Sequence, residues 1–88
     1  MKIKDGFLLR EIADTHVVIP IAERVIDFKG MMILNEVSAS VWEFMGEHRT
    51  QDEILDYILD SYEVDRETAE TDLLGLIDQM EASGVLEK

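Results

Sequence analysis

Residues 30–45 read GMMILNEVSASVWEFM, and the change of character inside this stretch decides the fold. Four apolar residues, Met31–Leu34, come first and favour a β-strand. Asn35 follows, and its side chain is well suited to accept a hydrogen bond from a backbone amide in the first turn of a helix. The apolar residues after it recur at helical spacing and are Val37, Val41, Phe44 and Met45. The stretch predicts a strand followed at once by a helix, which ends near Gly46.

The residues before this stretch predict further strands. Residues 7–12 are mostly apolar with a loose period of two, and residues 16–21 place Val17, Ile19 and Ile21 on one face. Residues 13–15 resemble a turn between them. Pro20 lacks a backbone donor, so its strand lies near a sheet edge or ends there. Residues 25–34 surround Lys29-Gly30, which is typical of an extra short hairpin.

Two more helices are expected in the second half. Thr50 and Glu53 form a capping box, and Asp65 is an N-cap candidate. The apolar stripe of the second helix comprises Ile54, Leu55, Ile58, Leu59 and Tyr62. The inward face of the third comprises Ala69, Leu73, Leu76, Ile77 and Met80, with Val64 before the cap placed to staple onto Ala69. Gly84 ends this helix, and Val85 is placed to fold back onto Met80.

Strands followed by helices, without alternation, predict an α+β fold rather than a parallel sheet. The length of 88 residues fits a single domain over residues 1–88. There is no cysteine and no apolar run of membrane-spanning length, so we expect a cytoplasmic protein that does not enter a membrane.

The net charge of −12 is concentrated in the second half. Residues 1–44 carry seven acids and five bases, whereas residues 45–88 carry thirteen acids and three bases. Such a surface repels phosphate backbones and attracts cationic partners in a salt-dependent way. The charge does not name a partner by itself, because acidic helix faces also serve solubility.

Catalysis, cofactors and metals find little support in the residues. His16 and His48 are far apart in the chain and neither accompanies a cysteine, a nucleophilic serine motif or metal-ligand spacing. The glycines are isolated, so no phosphate loop is present. We expect a protein that is not an enzyme and binds no cofactor or metal.

Two other classes fit the size but not the residues. A DNA-binding winged helix needs basic residues on its reading helix, and the third predicted helix offers Arg66 alone among many acids. An acyl carrier protein needs a serine that opens a helix, whereas Ser61 ends one. No nucleic acid is therefore expected as a partner.

Peptide binding remains, and it has a physical basis. A small sheet has unpaired edges that an extended chain can join, while alternate side chains enter apolar pockets. Met31, Met32 and Met80 suit such pockets because methionine is flexible and polarizable. The same methionines could equally fill gaps in the core.

An ordered set of motifs runs along the chain. It begins with Gly30-x-x-x-Leu34-Asn35 and Val41-Trp42, and continues through Thr50-x-x-Glu53-Ile54 and Tyr62-x-Val64-Asp65. It ends with Asp72-Leu73-x-x-Leu76 and Gly84-Val85-Leu86. This ordered set resembles that of the PqqD family, and the resemblance covers nearly the whole chain.

This resemblance implies a winged-helix-like fold, with a three-stranded antiparallel sheet followed by three helices. It also implies a RiPP recognition element, a peptide chaperone that holds the leader of a ribosomally made precursor peptide. Such a protein presents the peptide to a tailoring enzyme, often a radical SAM enzyme. The leader would add a strand at the third strand, beside the third helix. Carried onto this chain, the implied peptide-binding residues are Met31, Met32, Ile33 and Leu34 on the strand, and Asp72, Leu73, Leu76, Ile77 and Met80 on the helix.

Several roles stay open at the level of sequence. The four apolar helix residues line either the groove or the core, Asn35 is expected to be a structural cap, and Asp72 either pairs with a basic leader residue or stays local. Residues 22–28 form a longer connection than the leanest family members have, so the resemblance implies the general role and no specific product. The alternative hypothesis is an acidic structural or regulatory subunit that docks on an enzyme without a leader. A homodimer through an edge strand is compatible with both.

Overall fold

The computed structural model describes residues 1–21 and 32–87, in which four strands are followed by three helices and then by one short strand. The strands are β1 (Lys2–Ile3), β2 (Phe7–Ile12), β3 (Thr15–Pro20), β4 (Met32–Leu34) and β5 (Leu86–Glu87). The helices are α1 (Glu36–Phe44), α2 (Gln51–Ser61) and α3 (Arg66–Ser83). The predicted α+β class, with a three-stranded antiparallel sheet followed by three helices, is confirmed.

The larger sheet has the strand order β2-β3-β4, and both pairings are antiparallel. Val17 of β3 stands opposite Arg10 on one side and Ile33 on the other. The next residue, Val18, stands opposite Met32 and is buried with it in the core. Because side chains alternate along a strand, one face of the sheet carries the helices and the other bears Ile33.

A two-residue turn joins β2 to β3. Ile12 pairs with Thr15, and the two residues between them, Ala13 and Asp14, have φ angles of 49° and 67°. Two consecutive left-handed residues match the right-handed twist of the strands that such a turn connects. The predicted break at residues 13–15 is thus a tight hairpin turn. Of the two alternatives for Pro20, the strand end is confirmed, because β3 ends there and is the central strand rather than an edge strand. The extra hairpin and the long connection expected over residues 22–31 lie outside the described residues.

Local caps set the starts of the first two helices. The Asn35 side chain accepts a hydrogen bond from the Ser38 amide at 2.8 Å. Thr50 and Glu53 form the predicted capping box, in which the Glu53 amide donates to Thr50 Oγ1 at 3.1 Å and the Thr50 amide donates to Glu53 Oε1 at 2.9 Å. The bond from the Thr50 amide holds the pKa of Glu53 below its ordinary value.

The start of α3 differs in detail from the prediction. Asp65 occupies the N-cap position, yet its side chain makes no capping hydrogen bond. The position was predicted correctly and the hydrogen bond was not. Val64, just before it, packs against the core.

The end of α3 is a Schellman motif, as predicted. Gly84 is left-handed at φ 76°, its amide donates to the Glu81 carbonyl at 3.1 Å, and the Val85 amide donates to the Met80 carbonyl at 3.2 Å. Val85 and Met80 are both fully buried, so residues of this turn form part of the hydrophobic core.

A second, two-stranded sheet joins the ends of the chain and was not predicted. Ile3 of β1 pairs with Leu86 of β5. The Ile3 amide donates to the Met45 carbonyl at 3.0 Å and the Lys4 amide to the Val85 carbonyl at 2.8 Å. Two-residue strands are too short to show any periodicity, and their pairing is entirely non-local.

The core lies between the helix-facing side of the β2-β3-β4 sheet and the three helices. Its most deeply buried large side chains are Met45, Ile54, Leu73, Met80, Val18, Val41 and Val85. No helix among the described residues is long and apolar enough to cross a membrane.

Candidate peptide-binding site

Strand β4 forms one edge of the β2-β3-β4 sheet. It pairs with β3 on one side, and no described residue pairs with its other side. Among the described residues, the peptide groups along that side have no strand partner, which is the arrangement that allows an edge strand to accept another chain. Residues 22–31, which lead into β4, lie outside this statement.

The side chains of β4 alternate sharply in burial. Met32 and Leu34 are each 3% exposed and belong to the core, whereas Ile33 is 59% exposed. A strand added beside β4 would inherit the same alternation, with every second side chain directed toward the helices. Because Met32 and Leu34 are packed in the core, they hold β4 in position for an added strand.

A cavity of about 320 Å³ opens at the carboxyl end of β4. Its apolar lining comes from the first turn of α1, the end of α2 and the beginning of α3. The lining residues are Asn35, Val37, Ser38, Ile58, Tyr62, Glu63, Val64, Ala69 and Asp72. This volume is at the lower end of the roughly 300–1,000 Å³ typical of ligand pockets.

The sequence brings these residues together through its caps and connections. Asn35 both caps α1 and borders the cavity, and Tyr62 through Val64 form the short connection between α2 and α3. Ile58 and Ala69 are buried and form part of the apolar wall, whereas Glu63 and Asp72 are exposed to solvent. The cavity can therefore hold an apolar group beside two carboxylates.

A shallower depression adjoins the cavity at Asn35. It is lined by Glu11, Asp14, His16, Leu34, Asn35 and Glu36. His16 lies 3.8 Å from Glu11, between Nε2 and Oε2. The surface around the end of β4 is consequently rich in carboxylates on both sides of Asn35.

The structure places the predicted helix residues mainly in the core. Leu73, Leu76, Ile77 and Met80 are 1%, 7%, 8% and 0% exposed and belong to the core cluster. Asp72 is exposed and lines the cavity. The peptide-binding role of each of these residues remains a prediction.

The structure describes three of the four predicted strand residues. Met32, Ile33 and Leu34 form β4, while Met31 lies outside the described residues. Their role in pairing with a peptide also remains a prediction. Asn35 acts as a cap, in agreement with the structural role expected for it.

Most of the cavity lining was missed by reasoning from sequence. Glu63 is absent from the predicted site residues. Val37, Ile58 and Ala69 were predicted only as apolar positions of helices, and Val64 only as a staple before a cap. A usable signal was present, because the short connection at 62–64 carries two large side chains, Tyr62 and Val64, whose apolar parts must pack against something. The sequence does not show which residues lie beside this connection, because some of them belong to α1, which is distant in the chain.

The histidines do not come together with other ligands among the described residues. His16 is near Glu11, and His48 is exposed in the loop between α1 and α2. Across residues 1–21 and 32–87, no group of three histidine, cysteine or acidic side chains is arranged to hold a metal ion.

Comparison with known proteins gives a family match. The model of the family described as Coenzyme PQQ synthesis protein D (PqqD) matches residues 15–86. No protein with a curated description is significantly similar to the chain.

Two solved structures resemble the chain along nearly its whole length. A structure of TbiB1 in complex with the TbiA(beta) leader peptide is 29% identical, with a TM-score of 0.74, and the match covers 99% of this chain and 95% of that one. A structure of lasso peptide synthetase B1 complexed with the leader peptide is 15% identical, with a TM-score of 0.71, covering 99% and 96%. At this lower identity the likeness concerns the fold alone.

Proposed function

Because the chain belongs to the PqqD family, we propose that it binds the leader of a ribosomally made precursor peptide and presents that peptide to a modifying enzyme. The leader adds a strand to the open side of β4 and places a side chain in the adjoining cavity. The observation that carries the proposal is this juxtaposition of an edge strand and an apolar cavity. The similarity to TbiB1, whose structure contains a leader peptide, supports it.

The short length of β4 makes both parts of the site necessary. A three-residue strand offers about three backbone hydrogen bonds at roughly 0.5–1.5 kcal/mol each, or about 1.5–4.5 kcal/mol in all. Micromolar binding needs about 8 kcal/mol, before the loss of the peptide's freedom is counted. The cavity must supply the remainder by burying apolar surface, at roughly 25 cal/mol per Å².

In this role the chain performs no chemistry of its own. It raises the local concentration of the precursor at the enzyme, as a tethered second site does. The partners are the precursor peptide and a tailoring enzyme such as a radical SAM protein, and we expect them in the cytoplasm.

A titration followed by NMR tests the proposal. The probe is the leader of the precursor encoded beside the gene, and a scrambled peptide of the same composition is the control. We expect amide shifts at residues 32–38 and at the cavity residues 58–72, and none with the scrambled peptide.

Two results would count against this function. One is the absence of shifts with the leader, and the other is shifts confined to the β1-β5 sheet and the outer side of α3. Salt-sensitive co-purification with an enzyme that persists without any peptide would instead favour the docking-subunit alternative.

A further inference from the structure

Among the described residues, the lining of the cavity at the end of β4 combines an apolar wall with two carboxylates and no base. Ile58, Val64 and Ala69 form apolar parts of its lining, and the acidic members are Glu63 and Asp72. The adjoining depression adds Glu11, Asp14 and Glu36. Within residues 1–21 and 32–87, His16 is the only titratable base that lines either of them.

The two cavity carboxylates are not neutralised from within the described part of the chain. The ion pairs found there join His16 to Glu11 and Arg49 to Glu47, and neither involves Glu63 or Asp72. As far as the described residues extend, a peptide side chain that enters this cavity therefore meets two carboxylates that take part in no ion pair.

The apolar wall and the two carboxylates together restrict which peptide side chain fits the cavity. A short cation would leave the apolar wall uncovered, and an aliphatic residue would bring the carboxylates no partner. Lysine and arginine carry a long methylene stem that buries well and a cationic head that stays near water. Tyr62 in the lining can also contact such a head through its ring.

Building on the proposed function, we propose that the cavity selects a basic residue of the leader, lysine or arginine. Its stem lies along Ile58, Val64 and Ala69, and its head lies between Glu63 and Asp72. The chain's net charge of −12 draws a basic peptide segment toward this surface and makes the association salt-dependent.

A double-mutant cycle between protein and peptide tests this inference. The protein variants are Glu63→Gln with Asp72→Asn, and a matched control, Asp56→Asn with Asp78→Asn. The control removes the same charge from exposed positions outside the cavity. In the neighbouring-gene leader, each lysine or arginine is replaced in turn by norleucine, which keeps an apolar stem and removes the charge.

We expect one norleucine replacement to weaken binding to the wild-type chain about three- to fivefold, the upper part of the range for exposed ion pairs. The same replacement should change binding to the Glu63/Asp72 variant by less than about twofold. The Asp56/Asp78 control should retain the wild-type response. Dissociation constants from fluorescence anisotropy at two salt concentrations give these values.

The possible failures are distinguishable. A leader that does not bind the wild-type chain overturns the proposed function, and this inference with it. A leader that binds with the same sensitivity to norleucine in all three proteins overturns the inference alone. The inference also fails if the bound segment has no basic residue or depends on an aromatic one instead.

Discussion

Gly75 and Gly84 show how the same residue type serves different purposes. Gly75 lies inside α3, and a methyl group added there would meet no atom within 4 Å. Gly84 follows the helix with a φ of 76°, which a residue with a side chain rarely adopts. Only the second glycine is required by the backbone.

Alanine should therefore have opposite effects at these two positions. Gly75→Ala should stabilise the protein by about 1 kcal/mol, because alanine is the better helix former. Gly84→Ala should destabilise it by about 1–2 kcal/mol through the left-handed conformation. Urea unfolding followed by circular dichroism measures both. Changes of the same sign would contradict this account of the end of α3.

At the scale of the element, two adjacent leucines of α3 differ sharply in burial. Leu73 is 1% exposed and Leu74 is 45% exposed. Leu73→Ala should lower the unfolding free energy by about 2–5 kcal/mol, and Leu74→Ala by less than about 0.5 kcal/mol. Urea unfolding is again the measurement. If Leu73→Ala hardly changes the unfolding free energy but weakens leader binding, Leu73 lines the peptide-binding groove rather than the core.

Strand β4 permits a test of whether binding uses the backbone. Ile33 is largely exposed, so Ile33→Ala should change leader affinity by less than about threefold. Ile33→Pro also removes a backbone donor and fixes φ, and should weaken binding more than about tenfold. Anisotropy titrations compare the two variants after circular dichroism has shown that both are folded.

The peptide side gives an independent check of the same mechanism. Leaders that are N-methylated at one position at a time should lose affinity at every second residue of the paired segment, since alternate amides face β4. Equal loss at Ile33→Ala and Ile33→Pro, or no alternation along the peptide, would show that side chains carry the binding.

At the scale of the molecule, the β1-β5 sheet joins the first residues to the strand that follows α3. Ile3 is buried in the main core cluster and its amide is bonded to the end of α1, so the first residues belong to the cooperative unit. A domain of this size has little core to spare.

Shortening Ile3 should therefore destabilise the whole fold. Ile3→Ala is expected to cost about 2–4 kcal/mol, with a single unfolding transition retained. Lys2→Ala, in the same strand but only partly buried, should cost less than about 1 kcal/mol. An unchanged midpoint for Ile3→Ala in urea would mean that β1 is an appendage.

The sequence predicted best those features that depend on neighbours in the chain. The caps at Asn35 and Thr50 and the turn at Gly84 each join residues three to five positions apart, so residue type alone was enough. Asp65 is the instructive exception, because the position of a cap is local whereas its side-chain bond also depends on the surroundings. The order of strands and helices followed from periodicity for the same reason.

The tertiary structure alone decided which apolar residues are buried and where a cavity opens. Periodicity places Leu73, Leu76, Ile77 and Met80 on one face of α3, but only packing against the other elements puts that face in the core. Likewise, the cavity joins Asn35 to Asp72, which lie on opposite sides of α2 in the sequence, and β1 joins β5 across nearly the whole chain. Contacts between distant segments depend on how all elements pack at once, and no local pattern records them.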